Sequence, residues 1–411
     1  MRGLRNSWSK AGLLSLPVAA TLALVPSARA ERAHELSRVD LRHVMLNPDG
    51  ATAPLADGRR ARLTLQPELQ QAALKLLKLA DPVRGAVVVV HAPTGKVLVW
   101  AEYQRGSEHP AGLLYQASAP AASVFKIVTT AALLERAKLG PATKVCIAGG
   151  THGIERRHLE AARSRRRQCS PFWLALGHSR NAVYAQLATR YLMRDDLLDY
   201  ADRFGFGHAV AFEADVPMGS LVVPYNDLEF ARSAAGFRGS TLSPLGALTL
   251  SYTVATGGEA VRLRILEDPE ESDAGPEREV LGRVIEKRTA EELTRMMEIT
   301  VRSGTSREVF HDDTGRSYLC QIRVAGKTGT LKPPSGSTTS SWFTGFAPSR
   351  TPEIVLSVLM QNGRVWRRKA NEIARDLLRI HFAERGLCRS GDPLAEAAPS
   401  REPRRGGGSE D

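Results

Sequence analysis

Apolar positions in this chain recur with two periods, and the switches between them mark out its elements. Residues 63–80 (LTLQPELQQAALKLLKLA) open as a short strand. They pass into Leu69, Ala72, Ala73, Leu76 and Leu79, the spacing of one helical face. Two β-rich runs follow, Gly85–Ala92 and Lys96–Tyr103, and Pro93-Thr94-Gly95 between them predicts a hairpin. Helical pattern dominates the middle. The run from Ser123 to Leu134 is almost wholly apolar, which predicts a buried helix. Ser123 falls in its first turn, where backbone N–H groups have no intrahelical partner. Further helices are predicted over 181–205, ending near Phe204-Gly205, and over Thr289–Met297. Strand character returns over Tyr318–Lys327, Ser340–Ala347 and Glu353–Gln361. Strands at both ends with helices between them predict a mixed α/β layer arrangement, the Ser123 helix lying against the sheet. No internal repeat is visible.

Outside this stretch the pattern changes. Arg2, Arg5 and Lys10 precede an apolar run over residues 11–25, and Ala28-Arg29-Ala30 offers a small-x-small cleavage site. The run is short of the about 20 residues that a membrane span needs, so residues 1–30 read as a cleaved secretory signal, with an uncleaved anchor as the alternative. Residues 31–60, with Pro48, Asp49-Gly50 and Pro54, read as a linker with little structure of its own. Residues 61–387 form the expected domain. From 388 to 411 proline, glycine and charge prevail, and a disordered tail is expected.

Net charge is +12 over 411 residues. That balance fits anionic surroundings such as acidic lipid or cell-wall polymer, or simply a solvated basic surface. The run Arg156–Arg167 reads as a solvated loop. No recognised nucleic-acid motif is present, and an exported chain gives no reason to expect that partner. Export gives meaning to the four cysteines. Cys146 and Cys169 flank a polar loop and are expected to form a disulfide. Cys320 and Cys388 would pair only if the C-terminus returned beside the strand bearing Lys327, and that is left open. His152 and His158 lie between the first two cysteines, yet their spacings are looser than the C-x2-4-C or H-x3-5-H pairs of structural zinc sites. No metal and no cofactor is expected.

Three short segments carry chemistry. In Ser123-Val124-Phe125-Lys126 a hydroxyl and an amine three residues apart share one helical face, which puts a base beside a weak nucleophile. The amine would need a pKa below the ordinary 10.4, and burial or a second cation lowers it. Taken alone, Ser-x-x-Lys is more often a capped helix start with an outward lysine. Ser179-Arg180-Asn181 offers a second hydroxyl and an amide, and fits a helix cap equally well. Lys327-Thr328-Gly329-Thr330 ends a β-rich run with a cation, two hydroxyls and a glycine beside which a ligand backbone can pass. A phosphate loop would require glycine at position 321, where the chain has Gln321, and would open a helix; Pro333-Pro334 follow instead.

In this order the three segments match the active-serine signature of penicillin-binding proteins and class A β-lactamases. Residues 61–385 resemble a penicillin-binding transpeptidase domain. The likeness extends to Pro93-Thr94-Gly95, to Ser123–Thr130 (SVFKIVTT), Tyr200–Gly207 (YADRFGFG) and Leu242–Gly258, and to Ser341–Pro348 (SWFTGFAP). It implies a five-stranded antiparallel sheet flanked by helices, with a helical subdomain and the site at the edge strand bearing Lys327. By that likeness Ser123 is the nucleophile toward D-alanyl-D-alanine stem peptides, Lys126 its base and Ser179 a proton relay. Asn181 would position the donor peptide. Lys327, Thr328 and Thr330 would hold the terminal carboxylate beside Gly329, and the N–H groups of Ser123 and Thr330 would form an oxyanion hole. β-Lactams would acylate the same serine, and the enzyme would work in the periplasm or on the outer face of the cytoplasmic membrane. Two departures stand out. The family often has Pro-Gly directly before the nucleophile, where this chain has Ala121-Ala122, and the N-terminal portion has no room for a glycosyltransferase domain.

Rivals share the fold or the family. A D,D-carboxypeptidase differs only in using water as acceptor. A class A β-lactamase needs a Glu-x-x-Leu-Asn loop, which is absent, and class D enzymes carry Ser-x-Val where this chain has Asn181. A sensor or inactive scaffold would be expected to carry further membrane helices or to have lost a catalytic residue.

Overall fold

The computed structural model describes residues 39–396, apart from 48–49, 109, 111, 151–152, 161–166, 268–277, 334–336, 389–390 and 392. Five strands form the central sheet: β1 (Arg84–His91), β2 (Val97–Gln104), β3 (Ala325–Leu331), β4 (Thr339–Ala347) and β5 (Ile354–Asn362). Their order is β3-β4-β5-β1-β2, with every neighbouring pair antiparallel. The fold is therefore mixed α/β, with β3 on an outer edge.

Both faces of the sheet are buried along β1, β4 and β5, which explains why these strands read as near-continuous apolar runs. In Val87-Val88-Val89-Val90 the period of two is still present. Val88 and Val90 join one core cluster, and Val87 and Val89 the other. Across the sheet, Trp342 and Phe346 of β4 point to the first cluster and Phe343 to the second. The first face is covered by the helices Pro244–Ala255 and Lys287–Arg302, with Lys126–Glu135 and Asn181–Tyr191 packed beyond them in the same core. Pro67–Ala80 and Ala370–Glu384 cover the second. Each fully buried Val, Leu or Phe contributes about 1.5–3 kcal/mol, so this double burial fixes the register from which β3 presents its residues.

Four expectations are corrected. Residues 45–54, read as linker, form two strands (Met45–Asn47 and Gly50–Pro54) that pair with Arg60–Leu63. Alternate residues Ala51, Ala53 and Leu55 turn into the core, a small-residue alternation that the prolines had masked. The helix expected over 181–205 is two, Asn181–Tyr191 and Arg194–Arg203. Leu192 and Met193 are extended between them, and the Asp196 carboxylate accepts from the Met193 N–H at 2.8 Å to start the second. The strand expected from Tyr318 begins only at Ala325. Cys320 has φ +56°, a left-handed bend incompatible with a strand. Cys320 is bonded to Cys388, and so the tail beginning at 388 is tied to the domain at its first residue.

Cys146 and Cys169 are also bonded, facing one another across the strands Lys144–Ile147 and Gln168–Pro171. The two thiols a zinc reading would require are thus held by each other; His152 lies outside the described residues. Two disulfides accord with an oxidising compartment. Arg156, Arg157 and Arg167 of the basic run are exposed, and its residues 161–166 lie outside the described set. No helix among the described residues is long and apolar enough to cross a membrane. The signal expected over residues 1–30 falls outside them.

Candidate active site

Ser123 lies in a single tight turn, Ala122–Phe125, that runs directly into the helix Lys126–Glu135. The turn is entered through Ala122 at φ +49°, the left-handed region that glycine occupies most cheaply. This is the position where Ala stands in place of the family's usual glycine, and the backbone adopts the bend regardless. Trp342 of β4 pins the approach by donating from Nε1 to the Pro120 carbonyl at 2.9 Å. Lys126, one turn on from Ser123, is fully buried. Below it Thr130 Oγ1 donates to the Lys126 carbonyl at 2.6 Å and meets the Tyr184 hydroxyl at 2.7 Å.

The second segment sits where one helix ends and another begins. Ser179 has φ +52° between the helices Trp173–Gly177 and Asn181–Tyr191. Such a non-glycine outlier costs on the order of 1–3 kcal/mol and persists where surrounding structure imposes it. The capping role open to these residues is not used. Arg180 occupies the cap position without a side-chain capping bond, and Asn181 Oδ1 instead accepts from Lys126 Nζ at 2.6 Å.

β3 supplies the third segment from the sheet edge. Lys327 is fully buried and donates from Nζ to the Thr328 carbonyl at 2.7 Å and to Ser179 Oγ at 3.0 Å. Lys126 Nζ is 2.7 Å from Ser123 Oγ and 3.4 Å from Ser179 Oγ. All three segments therefore meet, with Ser179 Oγ between the two amines. Burial, and behind it the charge of Lys327, hold Lys126 well below the ordinary lysine range. Burial alone lowers Lys327 to about 7. An uncharged amine against a serine hydroxyl, next to a second amine that still charges near neutral pH, suits proton abstraction and anion binding together.

A residue that sequence reading passed over completes the edge. Thr305, after the helix Lys287–Arg302, shares a 2.6 Å hydrogen bond with Thr328 through their hydroxyls. Its N–H donates to the Gly177 carbonyl at 3.2 Å, tying β3 to the helix that precedes Ser179. Only the fold brings it there; a lone Gly-Thr pair carries no sequence signal.

The model of the penicillin-binding protein transpeptidase domain matches residues 85–379. The chain belongs to this family. A peptidoglycan D,D-transpeptidase PbpA from Mycobacterium tuberculosis is 24% identical over 345 residues, covering 74% of this chain and 68% of the relative. The namesake from Mycolicibacterium smegmatis is 24% identical over 361 residues with the same coverage. Among solved structures, the M. tuberculosis penicillin-binding protein A imipenem acyl-enzyme superposes with a TM-score of 0.61 at 21% identity, covering 79% of each chain. The D,D-transpeptidase domain of a peptidoglycan glycosyltransferase from Eggerthella lenta gives 0.63 at 21%, covering 84% of this chain and 99% of its own. At these identities the solved structures establish the fold. The penicillin-binding transpeptidase fold thus joins the three segments into one crevice at the edge of β3.

Proposed function

We propose that the protein is a peptidoglycan D,D-transpeptidase that cross-links stem peptides through an acyl-serine intermediate. The reading is carried chiefly by the buried, charge-depressed Lys126 held 2.7 Å from Ser123 Oγ. An uncharged amine has two N–H bonds and one lone pair. Asn181 Oδ1 accepts one N–H, and the Ser123 hydroxyl donates its proton to the lone pair. Ser123 Oγ then attacks the carbonyl of the penultimate D-alanine while Lys126 takes the proton. The oxyanion lies against the N–H groups of Ser123 and Thr330, where one donor contributes about 2.7–4 kcal/mol. Ser179 passes a proton from the amine side of the cluster to the leaving D-alanine. Lys327, Thr328 and Thr330 hold the terminal carboxylate, Gly329 leaves room for the peptide, and Asn181 positions the donor backbone. An amine from a neighbouring stem peptide then attacks the acyl-serine, forming the cross-link and freeing Ser123. β-Lactams enter at the same step, as imipenem and penicillin G do in the acyl-enzyme complexes of M. tuberculosis penicillin-binding protein A. Residues 1–30 direct export, so the domain works in the periplasm or at the outer face of the cytoplasmic membrane.

Fluorescent penicillin tests this directly. Labelling should be stable for minutes and absent in Ser123→Ala, with mass spectrometry placing the adduct on Ser123. Rapid loss of label would indicate a β-lactamase, and no label at all a scaffold. D-alanine release without cross-linked product from paired stem peptides would indicate a carboxypeptidase.

A further inference from the structure

A cleft of about 340 Å³ opens beside Ser179, walled for the most part by residues that take no part in the chemistry above. One wall is the Ser179-Arg180-Asn181 turn with His178. The other is the disulfide-closed hairpin, which contributes Gly150 and Gln168. At Gly150, φ is +75° and a Cβ would fall 2.6 Å from that of Ala182, so only glycine lets the hairpin lie this close. Ser179 and Asn181 belong both to this wall and to the amine cluster, which makes the cleft a side chamber of the catalytic crevice.

Its charge is one-sided. Arg180 donates from Nη1 to Ser170 Oγ at 2.6 Å, and no carboxylate pairs with it among the described residues. None of the lining residues is acidic. His178 is held below its ordinary pKa by burial and then by Arg180, so the guanidinium is the chamber's standing charge. A guanidinium with no acidic partner among the described residues, facing a part-enclosed cleft, is complementary to a carboxylate, which it engages with two parallel hydrogen bonds.

We infer that the chamber receives the side chain of the donor stem-peptide residue preceding D-alanyl-D-alanine, and that Arg180 selects a free carboxylate there over its carboxamide. The inference rests on the transpeptidase reading, because Asn181, which positions the donor backbone, also lines the chamber. The residue just before the reacting D-alanines therefore passes its mouth.

The test uses two donors, N-acetyl-2-aminopimelyl-D-alanyl-D-alanine and the same peptide with its side-chain carboxylate amidated. D-Alanine release is followed with the exported protein. The carboxylate peptide should show a kcat/KM at least about tenfold higher, mainly through KM, as expected of a hydrogen bond to a charged group. In Arg180→Gln, which keeps a donor for Ser170, the ratio of the two peptides should fall to about one. Equal rates in the native protein, or a ratio unchanged in Arg180→Gln, would overturn the inference. Ionic strength provides a second measurement on the native protein, should the variant not fold. The preference should shrink between about 0.05 and 0.5 M salt as the charge pair is screened, and a salt-independent preference would count against Arg180. Benzylpenicillin separates the levels. Failure to acylate Ser123 removes the transpeptidase reading and this inference with it, whereas acylation without a carboxylate preference removes the inference alone.

Discussion

The nucleophile turn and the edge strand each deliver a fully buried lysine to Ser179, and they do so in different electrostatic settings. Lys126 comes from the interior of the helical layer. It is desolvated and also repelled by its neighbour, and it contacts Ser123 Oγ and Asn181 Oδ1. Lys327 comes from the sheet edge. It is lowered by burial only, to about 7, and one of its partners is the backbone carbonyl of Thr328. The same side chain is thus driven to opposite tasks. In the proposed mechanism the more strongly penalised amine, which loses its proton first, is the base. The other keeps a positive charge at and below neutral pH, and can bind an anion.

Removing each amine in turn should expose that asymmetry. Lys126→Ala should lower the rate constant for penicillin acylation by about a thousandfold or more, within the range for loss of a positioned base. Lys327→Ala should lower it by about ten- to a hundredfold, mostly as weaker recognition of carboxylate-bearing ligands. Stopped-flow acylation with a chromogenic cephalosporin checks both, with circular dichroism to confirm folding. Normal acylation by Lys126→Ala would remove it as the base, and equal losses in the two variants would remove the division of labour.

The pH profile tests the same comparison without losing a side chain. Lys126 has to be uncharged to act, so acylation should fall as pH drops through its depressed pKa. Lys327 has to be charged to bind a carboxylate, so kcat/KM for the free enzyme should fall as pH rises above about 7. The result is a bell, each limb approaching tenfold per pH unit. Lys327→Arg keeps its charge at any working pH and should erase the alkaline limb while leaving the acid limb in place. An alkaline limb that survives this substitution would belong to some other group.

How much of this was readable in the sequence depended on whether the signal was local. Ser123, Lys126 and Lys327 stood in short segments whose order and composition were informative before any fold was known. Four of the five core strands were visible as β-rich runs, whereas β3 (AGKTGTL) has almost no apolar side chains and was expected to begin seven residues early, at Tyr318. Residues 45–54 were misread because prolines and small residues hide an alternation of Ala51, Ala53 and Leu55 that becomes apolar only when packed. Met193 hid a helix boundary, since the Asp196 carboxylate that starts the second helix looks like any surface acid. The bond from Cys320 to Cys388 requires knowing that the C-terminal helix returns along the sheet. Thr305, and the chamber lined by Arg180, depend wholly on tertiary closure and had no sequence signal. The site was legible in its reacting groups and illegible in its walls.

The smallest expected effect lies where the two regions touch. A Cβ on Gly329 would stand 3.2 Å from Ala122 Cβ and Val124 Cγ2, so β3 passes the nucleophile turn with no space to spare. Gly329→Ala should push the strand from the turn and reduce acylation more than it reduces stability. Ala122→Gly acts on the opposite side of that contact. It removes the facing methyl and relieves a residue at φ +49°, a conformation costing an L-residue about 1–2 kcal/mol. Against that gain, glycine adds unfolded-state freedom worth about 0.5–1 kcal/mol. The net change should be a stabilisation of between about 0 and 1.5 kcal/mol, a rise of at most a few degrees in Tm. The double variant Ala122→Gly, Gly329→Ala should recover part of the acylation lost in Gly329→Ala, because one of the two crowding atoms has been taken away while Val124 Cγ2 remains. Calorimetry and acylation rates together decide it. A clear loss of stability in Ala122→Gly would mean that the alanine methyl supports the turn, and simple additivity in the double variant would mean that the two regions do not restrain each other through this contact.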